Sequence, residues 1–269
     1  MAILSNGEIK ERLNAIPPLV ECPDKDHPFD INLQVQPASV DLRLSNSFFK
    51  YKREIQFIDT QINQEKYIER FTIDENEPLI LRPNEFINGQ TLEILNLSEK
   101  ICARVELRSS LARFGVLTHT ATYMNPGYKG PVPLQLKNLS NKPIIIRPFI
   151  RICTVIFEEL KTPSEKPYNK REDAKYLIEK SISPSKLFLD PELQEKMISE
   201  FKIKDVIKKS DKFKLFIEDI EFVGILKDIL FEIISEALFL AKSKGKTHIE
   251  LADIEKASKN IAKIYKYIY

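Results

Sequence analysis

The chain has no tryptophan, and only three cysteines, three methionines, three histidines and seven glycines in 269 residues. Cys22, Cys102 and Cys153 stand far apart with no CxxC spacing, which argues against a disulfide framework and against a structural zinc site. They read as ordinary buried or half-buried thiols. No stretch approaches the ~18 uninterrupted apolar residues that a membrane-spanning helix needs. Met1 to Arg12 lacks an apolar run behind a basic cluster, so no secretory signal is expected and the cytoplasm is the expected compartment. Nor does one sign of charge dominate: 41 basic against 39 acidic residues leave +2. That is too little to draw nucleic acid or an anionic membrane by a global field. An anion site has to be assembled locally.

What is present points to two units, since a chain of this length exceeds the ~100–200 residues of a usual domain. From Val35 to Leu160, short β-branched and aromatic runs alternate with Pro, Gly and Asn turns. Ser39–Leu44, Ile80–Arg82, Ile101–Leu107, Val132–Leu136, Ile144–Arg147 and Ile152–Phe157 read as strands of an all-β barrel or sandwich. Thr162 to Ser185 carries Pro163, Pro167 and Pro184 among charged residues and reads as a tail or linker. After Asp190 the pattern turns helical. A short helix is expected around Phe201–Lys209 and a long apolar one over Ile220–Lys244, stopped at Gly245. Another begins near Asp253 and runs towards Tyr265. Short, long, short resembles the histone fold, and Ala241–Ala257 carries that resemblance; a generic helical bundle is the alternative. Either version needs a partner for its apolar face. DNA is a conceivable partner that the near-balanced charge does not support. The expected division is 1–180, β domain; 181–195, linker; 196–269, helical.

The chemistry concentrates in RSSLARFGVLTHTATYMNPGYKGPVPLQLKN, Arg108–Asn138. Arg108, Ser109, Ser110 and Arg113 supply two guanidinium forks and two hydroxyls, the groups that surround phosphate oxygens with short charge-assisted bonds. From the residues alone, the alternative is that both arginines are solvated or paired with Glu106.

This stretch resembles the phosphate-binding motif and following catalytic strand of the trimeric dCTP deaminase/dUTPase family. Matches recur in order: QPASVDLRL (Gln36–Leu44), TLE (Thr91–Glu93), NKPIIIRPFIRICTVIF (Asn141–Phe157) and KPYNKREDAKY (Lys166–Tyr176). The resemblance implies a mainly β, dUTPase-like distorted barrel (β-clip); the all-α, histone-fold-like unit after it rests on the helix pattern alone. It implies a homotrimer with sites between subunits, which the C-terminal helices would pair into dimerised trimers. Arg108, Ser109, Ser110 and Arg113 would hold the triphosphate of dCTP or dUTP, with Tyr168 and Lys175 closing over it. Ala121 would offer a backbone carbonyl near the pyrimidine, with His119 beside it. Mg²⁺ would enter only with the triphosphate; no zinc is implied, and the H-x-E with P-C-x-x-C signature of zinc deaminases is missing.

Departures from the family sit at the reacting positions. Its deaminases place a Glu on the strand after the Pro-Gly turn, where this chain has Gln135; its dUTPases place an Asp before the turn, where this chain has Asn125. An amide cannot take a proton at neutral pH. Elsewhere, Leu107 and Phe149 replace glycines, Thr154 and Glu179 replace glutamines, and the stretch before Asn125 is one residue short. The leading expectation is therefore a deoxynucleotide-binding protein of pyrimidine metabolism with weakened or absent catalysis. Two others stand beside it: an active deaminase or dUTPase using Glu93 or Glu106 as a relocated base, and a ligand-free trimeric scaffold presenting histone-like modules.

Overall fold

The computed structural model describes residues 2–55, 58–118, 122–177 and 181–193, and, further on, 233, 236–237, 239–241, 243–246 and 249–265. It divides into two compact units, 1–52 with 68–183, and 53–67 with 184–269.

The first unit is mainly β. Its strands are β1 (Ala2–Ile3), β2 (Val20–Glu21), β3 (Val35–Gln36), β4 (Ser39–Tyr51), β5 (Ile68–Thr72), β6 (Leu79–Leu81), β7 (Phe86–Asn96), β8 (Ile101–Leu107), β9 (Val116–Thr118), β10 (Tyr123–Met124), β11 (Lys129–Asn138), β12 (Ile144–Ile146) and β13 (Arg151–Glu159). Helix α1 is Asn6–Leu13, α2 Ile31–Gln34 and α3 Ser109–Ala112. Eleven strands form one curled antiparallel sheet in the order β10-β8-β13-β4-β7-β11-β9, with β1, β2, β3 and β5 attached at the sides and β12 paired to β6 separately. The expected strands all appear, and β4, β11 and β13 run longer than their apolar runs, because pairing carries a strand past its hydrophobic residues.

Strand β4 joins the two halves. Its first residues pair with β13, Val40 opposite Val155 and Leu42 opposite Cys153; its later ones pair with β7 and β5 after a register shift between Leu44 and Phe48. Such a shift bends the strand and lets one sheet curl around a core. Leu42, Leu44, Leu134, Leu136, Ile152 and Phe157 are fully buried there. Helix α1 is fixed by sequence chemistry: Ser5 and Glu8 form a reciprocal capping box, and Ile9 enters the core.

Because β4 is covered on both faces from Val40 to Ser45, Asp41 is buried there and Arg43 nearly so, each with its partners. Glu93 of β7 is fully buried; it accepts from Arg43 Nε at 2.6 Å, the Arg43 amide at 2.8 Å and Gln34 Nε2 at 2.8 Å. The segment read as linker also contributes, since Ile182 is buried against Phe49 and Ile68 and donates its N–H to Gln90 Oε1 at 2.6 Å.

In the second unit the loop Arg53–Tyr67 belongs with the C-terminal residues. Lys66 pairs with buried Glu236, and the rings of Tyr67 and Phe239 lie 5.1 Å apart. Gly245 (φ +71°) follows the described helical residues, and α4 spans Leu251–Tyr265. Buried Asp253 in its first turn takes Lys244 at 2.6 Å and Lys246 at 3.1 Å. These cations hold its carboxyl down at about 2. The expected helix at 201–209, and most of the one at 220–244, lie outside the described residues.

Removing one partner of a buried ion pair strands the other. Glu93→Ala should therefore lower the unfolding free energy by about 3–5 kcal/mol, read as a fall in denaturation midpoint; a loss under about 1 kcal/mol would show that Arg43 is served by water.

Candidate functional site

Arg108 follows β8 and starts α3 as its N-cap residue. Its guanidinium turns inward to buried Asp41 of β4, with Nε 3.3 Å from Oδ2, and Nη1 donates to the Arg151 carbonyl at 3.1 Å. The partner is thus Asp41 rather than Glu106. Arg151 Nη1 reaches the same Oδ2 at 3.1 Å, and Thr154 Oγ1 donates to Oδ1 at 2.7 Å. Ser109, Ser110 and Arg113 follow on the exposed face of α3.

Gln135 lies on β11, opposite Asn88 of β7, half-buried on the face away from Leu134 and Leu136. Asn125 is exposed at a turn closed by Tyr128 N–H to Asn125 O at 3.1 Å. The tail folds onto this turn. Tyr168 donates its N–H to Pro126 O at 2.7 Å, its ring stands 6.0 Å from Tyr128, and its hydroxyl accepts from the Tyr176 amide at 3.0 Å. Lys175, half-buried, lies in the next turn. His119 and Ala121 lie outside the described residues.

The structure thus brings Tyr168 to the Asn125 turn, and Arg108 to Arg151. Among the described residues no hydrogen bond or ion pair links either group to Gln135. The sequence pattern assigns no site role to Asp41, Arg151 or Thr154. The available signal was Asp41 itself, a charge within an apolar strand that has to be paired.

The β12–β13 turn shows how one departure is accommodated. Phe149 stands at φ +62°, a region that disfavours side chains, and its ring stacks on His27 at 3.9 Å. His27 lies between Asp24 at 3.1 Å and Glu75 at 3.3 Å. Burial alone pushes this imidazole down, but the hydrogen bonds and charges of the two carboxylates outweigh it and hold its pKa above the ordinary value.

Residues 3–160 match the family described as dCTP deaminase-like. Over 192 residues the chain is 41% identical to a Dictyoglomus turgidum protein named "dCTP deaminase, dUMP-forming", covering 70% of this chain and 96% of that one. The chain belongs to the dCTP deaminase-like family. A "dCTP deaminase, dUMP-forming" of Methanosphaera stadtmanae is 37% identical over 70% of this chain and 94% of its own length. A solved 2′-deoxycytidine 5′-triphosphate deaminase from Agrobacterium tumefaciens aligns with a TM-score of 0.47 at 23% identity, covering 58% of this chain and 47% of that one. Among the described residues of this family member, no helix is long and apolar enough to cross a membrane, and no cluster of three or more His, Cys, Asp or Glu is placed to hold a metal.

Two expectations follow from the geometry. At Gly127 (φ +81°) an added Cβ would lie 2.6 Å from Asn169 Oδ1 and 2.9 Å from Pro167 Cβ. Gly127→Ala should therefore cost about 1–2 kcal/mol of left-handed strain and displace the tail, read as a lower melting temperature and faster trypsin cleavage after Lys170 and Arg171. Unchanged cleavage would mean that the tail is held elsewhere. For His27, the raised folded pKa makes its stabilisation complete below the unfolded value of ~6.5 and lost as pH rises through the folded value. Melting temperature should fall over that interval, and His27→Gln should remove this part of the pH dependence.

Proposed function

We propose that the protein binds the triphosphate of dCTP or dUTP, as a homotrimer with sites between subunits, and turns it over slowly or not at all. The observation that supports this reading is the pair of amides, Gln135 and Asn125. The relatives' name, dUMP-forming dCTP deaminase, implies two hydrolytic events, replacement of the cytosine amino group and release of pyrophosphate. Each event needs a base to activate water. The family supplies a Glu for the first and an Asp for the second, and this chain carries the isosteric amide at both positions. Arg108, Ser109, Ser110 and Arg113 keep the groups that hold phosphate, with Tyr168 and Lys175 on the tail. Mg²⁺ would come with the triphosphate. His119 and Ala121 complete the pyrimidine side of this reading.

A relocated base at Glu93 has little physical support. Both carboxylate oxygens already accept hydrogen bonds, and the residue is fully buried. A carboxylate with no open edge cannot take a proton from a water beside substrate.

Restoring the carboxylates tests the proposal at nearly constant volume. Gln135→Glu should raise deamination of dCTP, and Asn125→Asp hydrolysis of dUTP, each by about 10²-fold or more. The measurement is chromatography of dCMP, dUMP, dUTP and pyrophosphate after incubation with dCTP or dUTP and Mg²⁺. If the unaltered protein already turns over at ~1–10 s⁻¹, an ordinary enzymatic rate, the weakened-site reading is wrong.

A further inference from the structure

Arg108 and Arg151 stand on either side of one buried carboxylate, and neither is used up by it. Asp41 Oδ2 receives Arg108 Nε at 3.3 Å and Arg151 Nη1 at 3.1 Å, while Oδ1 is taken by Thr154 Oγ1 at 2.7 Å. Arg151 Nη1 also donates to the Leu33 carbonyl at 2.9 Å, and Arg108 Nη1 to the Arg151 carbonyl at 3.1 Å. These bonds hold one side of each guanidinium fork. Among the described residues, Arg108 Nη2 and Arg151 Nε and Nη2 donate to no protein atom, and the two side chains keep 30% and 25% of their surface exposed. Two cations against one carboxylate leave a local charge of +1.

Side by side, two guanidinium groups repel, and Asp41 between them offsets that repulsion and fixes both planes. Such an arrangement has residual positive charge and unused planar donors, which suits an anion with several oxygens in a row.

We infer that Arg151 is a second phosphate-binding arginine, presented jointly with Arg108 by the positioning residue Asp41, for a nucleoside polyphosphate or a free polyphosphate chain. This rests on the reading of Arg108 as a triphosphate contact. Thr154 completes the device, because its hydroxyl takes the remaining oxygen of Asp41 and keeps the carboxylate from turning towards the ligand.

The test is calorimetric titration of the full-length protein with dCTP, deoxycytidine and sodium tripolyphosphate, each at two salt concentrations. Arg151→Ala should weaken dCTP and tripolyphosphate alike by about tenfold or more. It should also flatten their salt dependence and leave deoxycytidine unchanged, and Arg151→Lys should recover part of the loss. Weakening of dCTP alone would place the ligand's source in the nucleotide and overturn the free-polyphosphate arm. Arg151→Gln removes the charge while keeping an N–H for Leu33, so it decides the matter if the alanine variant does not fold. If Arg151→Ala and Arg151→Gln bind all three probes as the unaltered protein does while Arg108→Ala weakens the phosphates, Arg151 only braces Asp41 and the inference fails. If Arg108→Ala also changes nothing, the triphosphate reading itself is wrong.

Discussion

From Val40 to Ser45 strand β4 is buried on both faces, and that constraint governs the charges around it. A charged side chain on such a strand needs a partner on the spot, because an unpaired charge in the interior costs several kcal/mol. Arg43 meets this demand through Glu93, itself held by Gln34. Asp41 meets it by drawing Arg108 and Arg151 inward from β8 and β13. The stability of the sheet and the placement of the proposed phosphate arginines are therefore one problem with one solution. Replacing Asp41 would disturb both, whereas the exposed Ser109, Ser110 and Arg113 can change without touching the core.

The tail belongs to the same economy of contacts. Among the contacts that hold the chain after β13 are Pro167–Tyr168 on the Pro126–Gly127 turn and Ile182 between Phe49 and Ile68. Ile182 exchanges main-chain hydrogen bonds with the side chains of Gln90 and Arg70, the latter at 2.8 Å. Tyr168, in the first of these anchors, and Lys175 after it are the residues proposed to cover a bound triphosphate. Anchoring both ends limits the conformations open to that segment and lowers the entropy lost on closing over a ligand.

Composition, strand spacing and the ordered motifs from Gln36 to Tyr176 were enough to read a mainly β unit and its family, since period-two patterning and turn residues act locally. The amides at Gln135 and Asn125 were legible because residue identity is written in the chain. Which arginine meets which carboxylate was not legible. Asp41 and Arg108 are 67 positions apart, and only the register of β13 between β4 and β8 brings them together. The buried Ile182 was hidden within a proline-containing, charged stretch, because one apolar residue has no period. The loop Arg53–Tyr67 likewise joined the C-terminal unit through Lys66 and Tyr67, contacts with partners some 170 residues away. Sequence by itself determined the strands of the β unit and the amides at Gln135 and Asn125; the tertiary structure alone decided the pairing of charges, because a buried charge takes whatever partner the strand order delivers.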